Sequence, residues 1–152
     1  MSTIHEYPAT VTWTGGREGQ GTIANHHSGT QIGIAVPTEF QGTGSGSNPE
    51  ELLTSAVAGC YTITFGIVAA NRKVPIERLE VDVVGSVEQN GASLTFKQIT
   101  IRPKITLSSD ATEAQVASAA DLAHKADGYC IVTNAVRGKV EVIVDPVVTR
   151  AD

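Results

Sequence analysis

Length, composition and charge narrow the classes of protein that this sequence can encode. The 152 residues are 41% hydrophobic and 18% charged, which predicts one globular domain over residues 1–152 and excludes a disordered chain. The net charge of −5 and the pI near 5.3 argue against a nucleic-acid partner, because phosphate binding requires a basic face. The first ten residues lack the basic and apolar regions of a secretory signal, so we expect a cytoplasmic protein.

Three short strands are predicted in the first quarter of the chain. Apolar and polar residues alternate from Tyr7 to Trp13, and weaker strand patterns follow over residues 21–26 and 31–36. Glycine-rich turns separate them, which is typical of an antiparallel meander. The glycine- and serine-rich segment 41–48 lacks the spacing of a phosphate-binding or dinucleotide-binding loop, and we interpret it as a flexible connection.

A long apolar helix from about Ser47 to Asn71 is the central predicted element. Asn48 is a good N-cap, Pro49 fits the first helical position, and Glu51 completes a capping-box pattern. Apolar residues then occupy every side of a 3.6-residue period, which is typical of a helix buried in a core or in a membrane. The length is near the ~20 residues of a membrane span, but polar residues and glycines dilute the segment. We therefore predict a buried central helix and no membrane association.

A long hairpin follows the helix in the predicted order. Its first strand covers residues 79–87, and Asn90-Gly91 is a strong hairpin signal. The return strand runs from residue 93 to about residue 107. Its inward-facing set changes phase part of the way along, which predicts a β-bulge near Lys97–Gln98.

The last third of the chain predicts a helix, a short turn and a final strand. A capping box at Asp110–Glu113 opens the helix, which ends near Lys125. A helical turn over residues 129–138 and a strand over residues 139–147 follow. The order βββ-α-ββ-α-β predicts an α+β fold. One sheet covers only one face of an all-apolar helix, so we expect a second copy of the chain to cover the rest in an intertwined homodimer.

The two cysteines, Cys60 and Cys130, are the candidate nucleophiles. Composition leaves two interpretations open: two unrelated buried thiols, or a pair that forms a transient catalytic or sensing disulfide. Two further residues carry chemistry that suits a reactive thiol. A cation such as Arg17 near a thiol lowers its pKa. A carboxylate such as Glu50 orients a guanidinium through a bidentate contact.

Other chemistries fit the sequence less well. The spacings of the cysteines and histidines match no zinc pattern, so we expect no metal and no other cofactor. Cysteine-dependent acyl hydrolysis requires a histidine base beside the thiol, and the candidate partner of the thiol here is an arginine. The histidines of the chain, considered above as metal ligands, are His5, His26, His27 and His124.

Three segments together resemble the OsmC/Ohr family, the osmotically inducible and organic hydroperoxide resistance proteins. Gly15-Gly16-Arg17-Glu18-Gly19 resembles its arginine loop, GGR-D/E-G. Asn48-Pro49-Glu50-Glu51-Leu52 followed by Ala58-Gly59-Cys60 resembles its N-P-E-x-L…A-x-C helix. Cys130-Ile131-Val132-Thr133-Asn134-Ala135 resembles its C-P-x-S/T-x-A segment, with Ile131 in place of the usual proline. Order and spacing agree over essentially the whole chain.

The resemblance implies an OsmC-like intertwined homodimer with active sites at the subunit interface, and a thiol peroxidase activity. It implies that Cys60 is the peroxidatic thiolate, that Arg17 stabilises it, and that Glu50 positions Arg17. Cys60 would reduce an organic hydroperoxide to an alcohol and become a sulfenic acid, which Cys130 resolves as a disulfide. The implied reductant is a dithiol, such as the lipoyl group of a protein.

Two alternatives stay open at this point. The same fold, with an apolar pocket around Cys60, also suits a non-enzymatic module that binds small molecules or senses stress. The place of Glu50 is open too, because ten residues of straight helix separate it from Cys60 by roughly 15 Å. Either the helix breaks before Gly59 and folds back, or Glu50 acts on the partner subunit.

Overall fold

The computed structural model describes all 152 residues, which divide into two compact units, Met1–Leu52 and Leu53–Asp152. The secondary structure is mixed, with seven strands and three α-helices. The predicted α+β class is therefore confirmed. The prediction of one domain over the whole chain stays a prediction.

The first unit contains the predicted antiparallel meander. Its strands are β1 (Ala9–Thr14), β2 (Gln20–Asn25) and β3 (Gln31–Ala35), which pair in the order β1-β2-β3. A short 3-10 turn (Thr38–Phe40) follows the third strand. The meander agrees with the prediction because the apolar alternation and the glycine turns are local signals.

The central helix, α1 (Pro49–Asn71), begins and ends where the sequence predicts. The Asn48 side chain accepts a hydrogen bond from the Glu51 backbone N–H at 2.9 Å, whereas the Glu51 carboxylate accepts from the Ser47 hydroxyl at 3.0 Å. The helix continues through Gly59 without interruption, so the break before that residue is absent.

Burial of α1 within one chain is one-sided, as expected where a single sheet covers one face of an apolar helix; its cover by a second copy stays a prediction. The buried side chains lie on one face: Val57, Ala58, Tyr61, Phe65 and Ala69. On another face, Ile63 and Ile67 are 66% and 58% exposed. α1 is the one helix of the chain that is long and apolar enough to span a membrane, and 28% of its most apolar stretch is buried.

The second unit contains the predicted hairpin. Strand β4 (Ile76–Asn90) pairs antiparallel with β5 (Ser93–Leu107), and Gly91 adopts a positive φ of 60° in the turn. The register changes where Ser86 faces Gln98 and Val87 faces Phe96, which leaves Lys97 as the extra residue. The β-bulge predicted from the phase change is confirmed.

The helix after the hairpin, α2 (Glu113–Lys125), has its N-cap two residues later than predicted. The Thr112 hydroxyl accepts a hydrogen bond from the Gln115 backbone N–H at 3.2 Å, and the Gln115 side chain accepts from the Thr112 N–H at 2.9 Å. Both Asp110–Glu113 and Thr112–Gln115 match the capping-box spacing, and the reciprocal bonds form at the second pair.

The C-terminal segment contains one helix and two strands. Helix α3 (Ile131–Val136) lies within the predicted helical turn, but the single predicted strand is divided into β6 (Glu141–Val144) and β7 (Val147–Arg150). Both strands pair in parallel with β5. The division falls at Pro146, because proline has no N–H to donate to a strand ladder.

The core of this unit lies between β5 and the two long helices. The inward-facing side chains of β5 pack with the buried faces of α1 and α2 in one cluster, which also includes Cys130. Its β5 and α2 members include Ile99, Ile101, Ile105, Leu107, Ala119, Leu122 and Ala123. Fully burying a large aliphatic side chain stabilises the fold by about 1.5–3 kcal/mol, so this cluster is what holds the two cysteines in place.

Candidate active site

The first cysteine, Cys60, lies in the middle of α1 and is half-buried against the core. Gly59 beside it has no neighbouring atom within 4 Å of where a side chain would start. The sulfur therefore belongs to a rigid element yet remains partly open to a small reactant.

The second cysteine, Cys130, is fully buried between a 3-10 turn (Ala126–Tyr129) and α3. Its sulfur donates a hydrogen bond to the Ala126 carbonyl at 3.1 Å, and its backbone N–H donates to the Asp127 carbonyl at 3.1 Å. Both cysteines are free thiols.

The structure brings the two thiols together, although 70 positions separate them in the sequence. Burial raises the pKa of the Cys130 thiol above its ordinary value, and the neighbouring Cys60 side chain raises it further. The nearby hydroxyls of Thr64 and Thr133 act on the pKa of Cys130 in the opposite direction. The two cysteines are therefore neighbours in space, and a disulfide between them stays a prediction.

Tyr61, next to Cys60 on α1, is a fixed donor beside this pair. Its hydroxyl is buried and donates a hydrogen bond of 2.6 Å to the Ala123 carbonyl of α2. Burial raises the pKa of Tyr61 well above its ordinary value, and the charges of Asp127 and Cys130 raise it further. Tyr61 therefore stays protonated and links α1 to α2, and it is unsuited to act as a base.

An ion pair holds the segment that carries Cys130. The Arg137 guanidinium lies 3.4 Å from the Asp127 carboxylate, and it also donates to the Asp127 carbonyl and to the Asn134 side chain. These bonds join the turn before Cys130 to the end of α3. Nothing in the sequence indicates this pair, because its two partners are ten positions apart and match no motif.

Arg17 lies in the tight loop between β1 and β2 of the first unit. Gly15 has a positive φ of 94°, and a Cβ on Gly19 would lie 2.4 Å from the Thr14 carbonyl oxygen, so the loop requires glycine at both positions. The Arg17 side chain is exposed, and its guanidinium donates to the Phe40 carbonyl at 2.8 Å. The loop thus presents a cation without burying it.

Glu50 lies in the first turn of α1 and is half-buried, and its Oε2 atom is buried. Because α1 is unbroken, ten residues of helix separate Glu50 from Cys60 of the same chain, or roughly 15 Å along the axis. Of the two arrangements left open by the sequence, the folded-back helix is excluded.

No three His, Cys, Asp or Glu side chains lie close enough together to hold a metal ion. A cleft of about 410 Å³ lies beside the β-bulge, between β5 and the start of β6. The predicted site residues do not line it; its lining is Thr95, Phe96, Lys97, Gly138, Lys139, Val140 and Glu141.

Comparisons with known proteins agree on one family. The family model described as OsmC-like protein matches residues 42–145. The uncharacterized protein YmaD of Bacillus subtilis is 36% identical over 138 residues, which cover 90% of each chain. An organic hydroperoxide resistance protein of Xanthomonas axonopodis pv. citri is 31% identical over 138 residues, covering 90% of this chain and 91% of that protein.

Solved structures of similar proteins share the fold. An OsmC-like protein of unknown function from Vibrio cholerae superposes with a TM-score of 0.75 at 22% identity, covering 95% of this chain and all of that one. An OsmC-like protein from Mycoplasma pneumoniae gives a TM-score of 0.75 at 19% identity, covering 97% of this chain and 99% of that one. At these identities, the likeness establishes the architecture alone.

Proposed function

Because this chain belongs to the OsmC-like protein family, we propose that it is a cysteine-based peroxidase that reduces organic hydroperoxides to alcohols. The observation that carries the proposal is the meeting of Cys60 and Cys130 as free thiols in one site. The name of the Xanthomonas relative supports an organic hydroperoxide as the substrate class.

The different burial of the two sulfurs supports different roles. Cys60 is half-buried and thus open to a peroxide, whereas Cys130 is fully buried. In the proposed first step, the Cys60 thiolate attacks the terminal oxygen of the hydroperoxide. The O–O bond breaks, the alkoxide takes up a proton and leaves as an alcohol, and Cys60 becomes a sulfenic acid.

In the proposed second step, the Cys130 thiolate attacks the Cys60 sulfur. The S–S bond forms as the S–O bond breaks, and the departing hydroxide takes up a proton to become water. An external dithiol then reduces the disulfide and is itself oxidised. We propose a lipoyl group on a protein as this dithiol, and no cofactor or metal takes part in either step.

Arg17 and Glu50 complete the proposed site. A guanidinium beside the Cys60 sulfur would stabilise the thiolate and the charge that develops on the departing alkoxide. Glu50 would hold that guanidinium in place through a bidentate contact. We assign Glu50 to the Cys60 site of the partner subunit, because α1 is unbroken.

A homodimer follows from the same proposal. The exposed side of α1 carries Ile63 and Ile67, and an exposed apolar patch on a helix is typical of an interaction surface. A second copy of α1 would cover this surface and bring Glu50 to the partner's site. A cytoplasmic location, where both thiols stay reduced between turnovers, completes the proposal.

The test is turnover of cumene hydroperoxide with dithiothreitol or dihydrolipoamide as the reductant. We expect the wild-type protein to consume the peroxide repeatedly and Cys60→Ser to consume none. Saturable binding of the peroxide without turnover would favour the alternative of a non-enzymatic binding or sensing module. Full turnover by Cys60→Ser would contradict the assigned chemistry.

A further inference from the structure

We propose that the buried hydroxyl of Thr133 is a preformed hydrogen-bond donor for the Cys130 thiolate. The inference rests on the proposed function, in which Cys130 has to carry a negative charge while it attacks the Cys60 sulfenic acid. Thr133 would then determine how fast the disulfide closes, and it would have no part in the first reaction with peroxide.

The first observation is an unsatisfied polar atom. The Thr133 side chain is fully buried, and its Oγ1 has no hydrogen-bond partner in the reduced protein. Buried side-chain polar atoms nearly always have a partner, so an exception requires an explanation. The explanation proposed here is that the hydroxyl donates a hydrogen bond to the Cys130 thiolate, which forms only during the reaction.

The second observation is the place of this hydroxyl relative to the Cys130 sulfur. Thr133 lies three residues after Cys130, in the first turn of α3. In the thiol state, the sulfur donates its proton to the Ala126 carbonyl. Once that proton is lost, the sulfur becomes an acceptor only, and the Thr133 hydroxyl is within reach to donate to it.

The surroundings of Cys130 offer no stronger source of stabilisation. The titratable groups packed around it are Cys60 and Tyr61 on α1 and Asp127 in the preceding turn, with Asp127 paired to Arg137. Burial and Cys60 both raise the pKa of Cys130, and no cation is among the groups that lower it. What lowers it are the hydroxyls of Thr64 and Thr133.

Such a donor would stabilise a developing negative charge in the same way as an oxyanion hole does. It is unpaired in the ground state and becomes paired when charge develops, so it stabilises the reacting state selectively. The same hydrogen bond would also assist reduction of the disulfide. When an external dithiol attacks the Cys60 sulfur of the disulfide, Cys130 leaves as a thiolate, and a stabilised thiolate leaves faster.

The test compares Thr133→Val, which removes the hydroxyl but keeps the shape, with Thr133→Ser, which keeps the hydroxyl. Ultraviolet absorbance of the thiolate, titrated in a Cys60→Ser background, reports Cys130 alone. We expect Thr133→Val to move the titration midpoint upward by about one pH unit and Thr133→Ser to leave it near the starting value. Thr62→Val is the control, since the Thr62 hydroxyl donates to the Ala58 carbonyl instead.

Kinetics and stability supply two independent measurements. One pH unit lowers the thiolate fraction about tenfold but raises its nucleophilicity about threefold, so disulfide closure at neutral pH should slow about threefold. The burst of sulfenic acid formation should be unchanged in Thr133→Val. Its Tm should be unchanged or higher, because the unpaired hydroxyl is gone.

The outcomes separate this inference from the proposed function. A lower Tm for Thr133→Val with an unchanged midpoint would show a purely structural threonine and overturn the inference. If the wild-type protein fails to reduce any hydroperoxide, the proposed function fails. The Cys130 titration would still decide whether Thr133 stabilises the thiolate, because that measurement needs no peroxide.

Discussion

Cys60 on α1 faces Cys130 at the start of α3, so a half-buried sulfur and a fully buried sulfur share one site. The two positions are fixed by different means. Cys60 is held by the packing of a long helix, and Cys130 by a short turn that the Asp127–Arg137 pair supports. In the proposed function, a small reactant should therefore reach Cys60 before Cys130.

The first prediction follows from this order of access. Cys60→Ser should lose peroxide consumption entirely, while Cys130→Ser should react once and then stall or over-oxidise, because no thiol resolves the sulfenic acid. Mass spectrometry after one equivalent of peroxide should show a disulfide between residues 60 and 130 in the wild-type protein. An oxidised wild-type protein without that disulfide would contradict the resolving role of Cys130.

The second prediction concerns pH. Burial raises the pKa of Cys130, so near neutral pH this group is mostly the thiol, and the reactive thiolate increases tenfold for each pH unit. Closure of the disulfide should therefore accelerate with rising pH until the raised pKa is reached. Rapid-quench trapping of the sulfenic acid between neutral and alkaline pH measures this step. A closure rate independent of pH over that window would mean that Cys130 is already ionised.

The same shift has a consequence for stability. A group with a raised folded-state pKa stabilises the fold fully below its unfolded pKa, and that contribution is lost as the pH rises through the folded pKa. The reduced protein should thus lose stability in the alkaline range. Thermal unfolding of reduced wild type and Cys130→Ser provides the comparison. A wild-type decline no steeper than that of the variant would argue against the shift.

The third prediction is a preference for organic hydroperoxides over hydrogen peroxide. Cys60 lies on a helix whose neighbouring side chains are apolar, with Val57 and Tyr61 fully buried and Leu53 half-buried. Burying an alkyl group contributes about 0.8 kcal/mol per CH₂. A four-carbon substituent would therefore contribute roughly 3 kcal/mol, or about a hundredfold in kcat/KM. Equal kcat/KM for tert-butyl hydroperoxide and hydrogen peroxide would count against an apolar site.

The fourth prediction is that Arg17 affects rate and leaves folding almost unchanged. Its side chain is exposed and donates to one backbone carbonyl, that of Phe40. Arg17→Ala should slow peroxide reduction strongly while the Tm changes little. Arg17→Lys should restore only part of the rate, because an ammonium cannot form the planar fork of a guanidinium.

A matched control is available for Arg17. Arg102 is another exposed arginine, on β5, and Arg102→Ala should leave the rate at the wild-type value. A wild-type rate for Arg17→Lys would contradict the bidentate role. Equal losses for Arg17→Ala and Arg102→Ala would reduce Arg17 to a general effect of surface charge.

Much of the fold was predictable because its signals are local. The phase change in the 93–107 strand located the bulge at Lys97, and the Asn-Gly pair located the hairpin. Two local signals competed elsewhere. The capping box of α2 formed at Thr112 instead of Asp110, and Pro146 divided the last strand. The N-cap differs because two neighbouring residue pairs match the capping-box spacing. The strand is divided because proline has no N–H to donate to the strand ladder.

The site was predictable only in part, because its essential relationship is not local. No spacing in the sequence indicates that Cys60 and Cys130 meet, and only the likeness to a family implied it before the structure did. The apolar period of α1 indicated that one sheet cannot cover the whole helix, but it does not identify the cover, since an apolar helix shows the same pattern whether a core or a second chain packs on it. The unpaired Thr133 hydroxyl depends on tertiary burial, which residue type does not reveal.

The last prediction concerns Glu50, whose carboxylate we assign to the partner's site. The continuous α1 places Glu50 roughly 15 Å along the helix axis from Cys60 of its own chain, too far for one guanidinium to contact both. Glu50→Ala and Cys60→Ser should each be nearly inactive alone. When the two variants exchange subunits, each mixed dimer regains one site with both residues intact. Statistical exchange should restore roughly a quarter of wild-type activity.

The control for this experiment is Glu51→Ala, in the same helical turn. Glu51 is exposed, and its carboxylate accepts a hydrogen bond from Ser47, so its loss should leave activity near that of the wild type. If Glu50 acts within its own chain, every site in the exchanged mixture still lacks one of the two residues. Activity would then stay at the level of the separate variants, and both the assignment to the partner and the need for a dimer in catalysis would be wrong.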